Sequence, residues 1–244
     1  MRMISAAWQV VVGMLLLVIS VYPAGMAAAP ADPAELVIVK VLRPADPAAD
    51  AGKAIRDALA QAGGYRGKPV RIVLDEGTYR IASLQPGNPF HLVLNGLENV
   101  TVQGVPEKTV LLFTHPDKAA IGLFGTRNTV LKDLVVDYEP LPFTQGTVVA
   151  VDPEHDAFDW QPDAGYRLPD SSFPVAGAMG VIVDRARRAL KAGVPDYAFI
   201  QSAVPLSDGR WRLTFDASTA DRARTMAPGD AFVLLARLPG GTIE

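Results

Sequence analysis

Two carboxylates and an aromatic ring follow one another in the stretch DLVVDYEP, which runs from Asp133 to Pro140. They belong to Asp137, Tyr138 and Glu139. Glycoside hydrolysis uses two carboxyl groups that flank the scissile bond, about 5–9.5 Å apart. We interpret these three residues as candidate substrate-binding residues for a carbohydrate, and we assign no catalytic residue. Asp137 also fits a turn where the chain leaves a strand, and this second interpretation stays open.

The residues that could bind a metal are scattered along the chain. His91, His115 and His155 lack the spacing of zinc ligands, so we interpret each as a surface or hydrogen-bonded histidine. Acidic residues from Asp152 onward alternate as in a calcium loop, but Ala157 stands where an EF-hand loop requires glycine. A hairpin turn is the favoured interpretation. No P-loop, nucleophile elbow or dinucleotide fingerprint is present, so we predict no metal and no cofactor.

The N-terminus has the pattern of a secretory signal peptide. Arg2 precedes an apolar run from Val10 to Tyr22, and small residues follow as far as Ala27. This run is shorter than the roughly 20 residues of a membrane-spanning helix. We therefore expect residues 1–27 to be removed, and no membrane association afterwards. Since the chain has no cysteine, export without disulfides favours a bacterial periplasmic or secreted protein.

Composition indicates a globular protein that does not bind nucleic acid. Of the 244 residues, 49% are hydrophobic and 20% are charged, which is enough apolar material for a core. Removing residues 1–27 deletes one arginine and no acid, so the net charge becomes 22 − 26 = −4. Binding to nucleic acid phosphates needs clustered lysine and arginine, which this balance does not provide.

One short helix and many short strands make up the first half of the chain. Apolar residues at helical spacing predict a helix over Gly52–Ala62, with Asp50 as its N-cap and Gly63 and Gly64 at its end. Short β-branched segments then follow as far as Glu139, and glycine and asparagine separate them. No long helix lies between these strands, so an alternating β–α layout is disfavoured and an all-β fold is predicted.

A repeat of 29 residues indicates how these strands stack. LNGLENVTVQG begins at Leu94 and LFGTRNTVLKD begins at Leu123, and 123 − 94 = 29. Such a period marks structural units that bury their apolar faces by stacking on one another. We read Asn99 and Asn128 as equivalent corners, because asparagine tolerates left-handed backbone angles. The alternation of side chains along a strand then predicts these inward positions: Val100, Val102, Thr129, Leu131, Leu134 and Val136.

The segment AGKAIRDALAQAGG followed by VRIVLDEGTYRI resembles the opening of right-handed parallel β-helix proteins of the pectate-lyase superfamily. The resemblance covers roughly Asp46 to Glu139. It implies that the amphipathic helix caps the open end of the stack and that the Gly-Thr-Tyr strand begins the first rung. The fold hosts lyases, hydrolases and epimerases, so the resemblance indicates architecture more than activity.

A narrower resemblance lies in NTVLKDLVVDYEPLPFTQGTVVAVD. It is similar to the bacterial β-helix α-1,3-galactosidases, in which the chain leaves the β-helix for an inserted β-barrel. The matching positions are Asn128, Asp137, Tyr138, Pro140, Gln145, Gly146 and Val148. In those enzymes the catalytic carboxylates belong to later rungs. The resemblance therefore implies galactosides or related polysaccharides as substrates, without identifying a catalytic residue here.

The second half of the chain agrees with such an insertion. Antiparallel hairpin signals predict a small β-domain over residues 144–237, after the cap and first rungs at 28–143. Within it, Asp184–Gly193 is predicted to be a short basic helix. Trp160, Trp211 and Tyr166 could stack on sugars, although packing in a core is the default for such residues. Residues 238–244 would then resume the β-helix, and we expect an N-terminal part of a longer protein.

These patterns favour an exported carbohydrate-active protein. The leading hypothesis is a glycoside hydrolase in the complete protein, whose catalytic carboxylates would lie beyond residue 244. A polysaccharide lyase or epimerase on the same fold is the first alternative; a lyase would need an arginine or lysine base and often a calcium site. A non-catalytic β-helix for glycan binding or adhesion is the second alternative.

Overall fold

The computed structural model describes residues 35–85, 87–169, 173, 175–195 and 197–236. The predicted signal peptide and the predicted resumption at 238–244 lie outside these residues. The described residues are mostly β-structure, with an α-helix, α1 (Gly52–Gly64), and a 3₁₀ helix (Ala217–Thr225). Within these ranges, no helix has both the length and the apolar character needed to cross a membrane. The predicted all-β class is confirmed.

Nine strands precede the antiparallel region. They are β1 (Val37–Val41), β2 (Val70–Leu74), β3 (Gly77–Ile81), β4 (Phe90–Asn95), β5 (Val100–Gln103), β6 (Thr109–Phe113), β7 (Ala119–Phe124), β8 (Val130–Lys132) and β9 (Val135–Tyr138). They form three parallel sheets with the orders β1-β2-β5-β8, β3-β6-β9 and β4-β7. From β2 onward the chain visits the three sheets in a repeated order, and each strand pairs with the strand of the previous pass.

Side chains at equivalent positions of successive strands stack into the core. Val100 and Val102 are buried and Thr101 is half-buried, which confirms the predicted alternation in the first repeat. Leu131 is half-buried beside Val102, whereas the outward Val130 is exposed. The buried columns are Val39–Ile72–Val102, Tyr79–Leu111 and Ile81–Phe113. Burial of each such side chain contributes about 1.5–3 kcal/mol.

Val136 departs from the predicted burial. Its register partner Leu111 is 2% exposed, so the position faces the core as expected, yet Val136 itself is 50% exposed. The reason is its place on β9, which is the last strand of its sheet among the described residues. Strand β7 is likewise the last of its sheet among the described residues, and Leu123 is exposed there although its register partner Leu94 is buried.

Helix α1 covers the core beside the first strands, as predicted for a cap. Its apolar face belongs to the same buried cluster as strands β1 to β6, through Ile55, Ala58, Leu59 and Ala62. The prediction of Asp50 as N-cap is wrong, because the N-cap residue is Ala51. The Asp50 carboxylate instead accepts hydrogen bonds from the N–H groups of Gly52 (3.0 Å) and Ala82 (2.8 Å), so it ties the helix start to the loop after β3.

The following strands form one antiparallel sheet. They are β10 (Phe143–Asp152), β11 (Ala157–Pro162), β12 (Ala178–Asp184), β13 (Ala189–Leu190), β14 (Ala198–Pro205), β15 (Trp211–Phe215) and β16 (Ala231–Leu235). The order is β13-β12-β14-β15-β11-β10-β16, and a further pairing of β12 with β16 closes six strands into a ring. The predicted hairpin turn that starts at Asp152 joins β10 to β11, and a turn at Ser207–Gly209 joins β14 to β15.

A second hydrophobic core fills this ring. Five large buried residues define it: Val148, Phe158, Trp160, Phe215 and Phe232. Phe158 packs edge-on against Phe232, with ring centroids 4.9 Å apart. The absence of a side chain at Gly180 leaves room for the Phe232 ring, since a Cβ at Gly180 would lie 2.2 Å from that ring. Apolar packing without disulfides therefore holds the antiparallel ring together.

The predicted basic helix over Asp184–Gly193 is wrong. Residues 184–190 form a tight hairpin in which β13 pairs with the end of β12. The Asp184 carboxylate accepts hydrogen bonds from the N–H groups of Ala186 and Arg187, both at 3.0 Å. Arg188 has a φ of 53°, a left-handed angle that interrupts a helix. A local aspartate turn therefore prevails over the weak helical pattern of this segment.

Candidate functional site

The outer surface of β9 presents the carboxylates that the sequence singled out. Asp137 is exposed on the outward face, and one of its oxygens accepts the N–H of Tyr138 at 2.8 Å. Glu139 follows directly after β9, and its N–H still donates to the Phe113 carbonyl of the neighbouring strand at 2.9 Å. Residues two apart on a strand share one face, with backbones about 6.6 Å apart. Asp137 and Glu139 therefore lie close together on the outer surface.

Tyr138 points the other way, into the core. Its hydroxyl donates to the Lys118 carbonyl at 2.9 Å, and its ring lies 5.5 Å from Phe113 and 6.1 Å from His91. Burial raises the pKa of the Tyr138 hydroxyl to about 12. The three candidate residues are thus divided between two faces of the strand. Asp137 and Glu139 can reach a surface ligand, whereas the Tyr138 ring is taken up by packing.

A positive charge completes the outer surface of this sheet. Arg80 on β3 stands in register with Leu112 on β6 and Asp137 on β9. Its guanidinium lies 4.0 Å from the Glu139 carboxylate, which is 71% exposed. We call Arg80, Leu112, Asp137 and Glu139 the outer strip. It offers hydrogen-bond donors and acceptors on either side of an apolar side chain, a combination that suits the hydroxyl groups and C–H faces of sugars.

Two histidines that looked isolated in the sequence meet inside the stack. His91 on β4 is 1% exposed, and its ring centroid lies 5.6 Å from that of His115. His91 Nδ1–H donates to the Ala119 carbonyl at 3.0 Å, and Nε2 accepts the N–H of His115 at 3.3 Å. The interpretation of His91 and His115 as hydrogen-bonded histidines is confirmed. The two residues are not isolated from each other, however, because their rings are neighbours in the fold. His155 is exposed and pairs with Asp152 at 2.9 Å.

The buried His91 should make stability fall in acid. Burial lowers the pKa of His91, while the hydrogen bond to the Ala119 carbonyl opposes it. The neighbouring His115 and Arg56 lower this pKa further, and the Asp117 carboxylate raises it. Protonation would place a hydrogen on Nε2 against the N–H of His115. Below pH 6.5, the ordinary histidine pKa, the unfolded chain therefore binds more protons than the folded protein does. The stability that depends on neutral His91 is fully present above pH 6.5, and it declines as the pH falls toward the lowered pKa of the folded state.

Urea unfolding at about pH 8 and about pH 5.5 measures this effect. The wild type should lose more stability between the two values than His91→Gln, whatever the absolute stability of that variant. His155→Gln is the exposed control, and it should not reduce the loss, because the pairing with Asp152 raises the pKa of His155. Equal losses in the wild type and in His91→Gln would contradict the assignment.

The predicted asparagine corners are confirmed. Asn99 and Asn128 have φ angles of 58° and 50°, and Asp133 at the next corner has 58°. The Asn128 amide donates to the Asn99 side-chain oxygen at 3.0 Å, so the two corners stack as one step of a ladder. Gln103 donates to Asp133 at 3.1 Å in the same manner. These side-chain hydrogen bonds connect successive turns of the stack.

The Gln-Gly-x-Val segment also has a structural explanation. Gln145 donates to the Asp163 carboxylate at 2.9 Å, and Arg185 binds the same carboxylate at 2.6 Å. Val148 is fully buried, and Gly146 lies against Trp160. The Trp160 ring is fully buried, with its N–H donating to the Phe232 carbonyl. Packing is therefore the role of Trp160; Trp211 also packs against this core, and Tyr166 lies 5.8 Å from Phe143.

No protein-family model and no curated protein matches the chain. Among the described residues, no group of three or more histidine, cysteine, aspartate or glutamate side chains is placed to hold a metal ion. Asp152 contacts His155 and Arg212, while Asp163 contacts Gln145 and Arg185, so these two acids serve different networks.

Proposed function

We propose that this is an exported carbohydrate-active protein built on a right-handed parallel β-helix of the pectate-lyase type. The repeated visits to three parallel sheets, the stacked asparagine corners and the capping position of α1 support this architecture. On this proposal the protein is a glycoside hydrolase that acts on galactosides or related polysaccharides in the periplasm or outside the cell.

The antiparallel ring is proposed as an insertion after β9. Its first and last strands are neighbours, because Phe143 pairs with Leu235 in antiparallel register. The N–H of Ala236 donates to the Pro142 carbonyl at 2.7 Å, four residues after β9 ends at Tyr138. The chain thus leaves and returns at nearly the same place. An insertion of this kind leaves the stack of strands uninterrupted in space.

The observation that carries the functional proposal is the outer strip. Parallel stacks expose a regular, elongated surface, and an extended polysaccharide can follow such a surface over several sugar units. Asp137 and Glu139 provide acceptors for sugar hydroxyls, and Arg80 provides donors. Leu112 between them offers an apolar contact for the C–H groups of a ring.

The exposure of these carboxylates favours a second candidate, a glycan-binding or adhesion role without catalysis. A general acid in a glycosidase commonly owes its raised pKa to an apolar pocket. Asp137 is exposed and the Glu139 carboxylate is 71% exposed, so neither occupies such a pocket in the described residues. A polysaccharide lyase or epimerase remains the other candidate, for which Arg80 is the basic residue of the strip.

Glycan binding and product release distinguish these functions. The protein without its leader should bind galactose-containing oligosaccharides in calorimetry, and Asp137→Asn and Glu139→Gln should each weaken binding by about tenfold. Asp57→Asn, an exposed acid on α1, is the control that should leave binding unchanged.

New reducing ends would identify a hydrolase, and unsaturated products a lyase. Binding without either product supports the non-catalytic role. Absence of binding to every glycan tested would overturn the carbohydrate proposal. Binding that both strip variants leave unchanged would instead show that the outer strip is not the site.

A further inference from the structure

A groove separates the C-terminal half of α1 from the end of β4 and the corner that follows it. It consists of two adjoining concavities with volumes of about 310 Å³ and about 510 Å³. Gly63 on α1 and Asn95 at the end of β4 line both of them. Small-molecule sites typically have volumes of about 300–1,000 Å³. The groove therefore has the size of a ligand site, and it lies on surfaces different from those that form the outer strip.

The lining of the first concavity is partly apolar. Half-buried Val93 of β4 contributes aliphatic surface, with Leu59 of α1 and Leu97 of the corner, each 5% exposed, at its base. Gly63 matters here because it has no side chain, and a Cβ at this position would only touch the Leu97 side chain at 3.4 Å. An aliphatic surface of this kind can pack against the C–H face of a pyranose ring, and removing that face from water would favour binding.

Polar groups surround this apolar surface. Gln85 and Asn95 carry amides, which can both donate and accept hydrogen bonds. Tyr65 lines the second concavity, and its hydroxyl oxygen accepts from Gln61 at 3.3 Å, which leaves the hydroxyl hydrogen to donate. Arg66 adds a fork of N–H donors beside it. Amides, a phenol and a guanidinium are groups that bind the vicinal hydroxyls of sugars.

Two of the three charged groups of the lining already have partners. Arg56 donates to the Ser83 hydroxyl at 2.5 Å and to the Ser83 carbonyl at 3.0 Å. Glu98 pairs with Arg127 at 3.4 Å. An uncharged polyhydroxyl ligand can use the amides, Tyr65 and the Arg66 donors without disturbing these contacts.

We propose that the groove between α1 and β4 is a binding site for a neutral saccharide. The inference rests on the proposed carbohydrate function and adds to it a second sugar site, separate from the outer strip. Such a site would hold a polysaccharide chain at the capped end of the stack while the outer strip contacts another part of the same chain. Its ligand is a galactose-containing oligosaccharide of the same class.

Gly63→Leu tests the site by filling the place where the two concavities meet. Gly63 is helical with an ordinary φ, so the new side chain adds no backbone strain and should favour the helix. The matched control is Gly64→Leu, at the adjacent helical position, where a Cβ would have no neighbour within 4 Å and which does not line the groove. Both variants should melt no lower than the wild type.

Calorimetric titration with a neutral galacto-oligosaccharide gives the readout. Gly63→Leu should raise the Kd for saccharide binding at the groove by about tenfold or more, and Gly64→Leu should leave this Kd unchanged. NMR titration of the wild type should shift the amide signals of Gly63, Asn95 and Gly96. If Gly63→Leu binds like the wild type while Asp137→Asn binds weakly, the groove proposal is wrong and the carbohydrate function stands. If the wild type binds no saccharide, the carbohydrate function itself fails.

Discussion

Replacing Gly146 by alanine is expected to destabilise the antiparallel ring strongly. Gly146 lies on β10, and a Cβ there would come within 2.2 Å of the Gln161 carbonyl oxygen and 2.5 Å of the Trp160 ring. Neither neighbour can yield easily, because Gln161 belongs to the paired strand β11 and Trp160 is fully buried. Overpacking a tight core costs typically about 1–3 kcal/mol, and a clash with backbone places Gly146→Ala at the upper end, about 3 kcal/mol.

Urea unfolding followed by tryptophan fluorescence measures this loss, since Trp160 lies beside the change. Gly64→Ala is the control, because it makes the same chemical change at a helical position with free space around it. That variant should be unchanged or up to about 1 kcal/mol more stable. A free energy of unfolding for Gly146→Ala within about 0.5 kcal/mol of the wild type would refute the packing role of this glycine.

The Gln-Gly-x-Val segment shows what a motif can convey before the fold is known. The sequence placed Gln145, Gly146 and Val148 at the start of the antiparallel region, and strand β10 begins there at Phe143. It could not show that Gln145 holds Asp163, that Gly146 makes room for Trp160, or that Val148 enters the core. These contacts join strands β10 and β11 across a turn, and they depend on a register that no local pattern specifies.

The stack of parallel strands was predictable in its corners and its alternation. Asparagine at Asn99 and Asn128 marks left-handed corners for a local reason, the tolerance of its short polar side chain. The 29-residue spacing between these two asparagines then determines which residues of β5 and β8 stack on each other. The observed register pair Val102–Leu131 has this spacing. Local conformational preference and a constant period therefore predict this part of the fold well.

Contacts between different sheets were not predictable in the same way. His91 lies on β4 and His115 follows β6, so their meeting depends on how two sheets face each other. The same holds for the hydrogen bond from Tyr138 to the Lys118 carbonyl. Of the three candidate residues, Asp137 and Glu139 share the outward face, but Tyr138 between them must point inward. A strict period of two already implies that division.

The largest effect in the parallel stack is expected for Ile55→Asp. Ile55 is 2% exposed on the inner face of α1 and belongs to the cluster that contains Leu59, Ile72 and Leu94. The variant loses the burial of a large aliphatic side chain, which alone costs about 2–5 kcal/mol when such a residue is truncated. It also places a carboxylate in apolar surroundings, which adds a desolvation cost unless the helix detaches.

Detachment of α1 would expose the strands that it covers, so the loss spreads beyond one residue. We expect the free energy of unfolding to fall by at least about 4 kcal/mol, which corresponds to a fall in Tm of about 8–16 °C for a domain of this size. Ala54→Asp introduces the same charge at the adjacent exposed position of the first helical turn, where a negative charge is favourable, and it should melt within about 2 °C of the wild type. Hydrogen exchange should rise first in β1 and β2, which α1 contacts. If Ile55→Asp melts like Ala54→Asp, α1 does not seal the end of this core, and the cap assignment on which the β-helix proposal partly depends must be withdrawn.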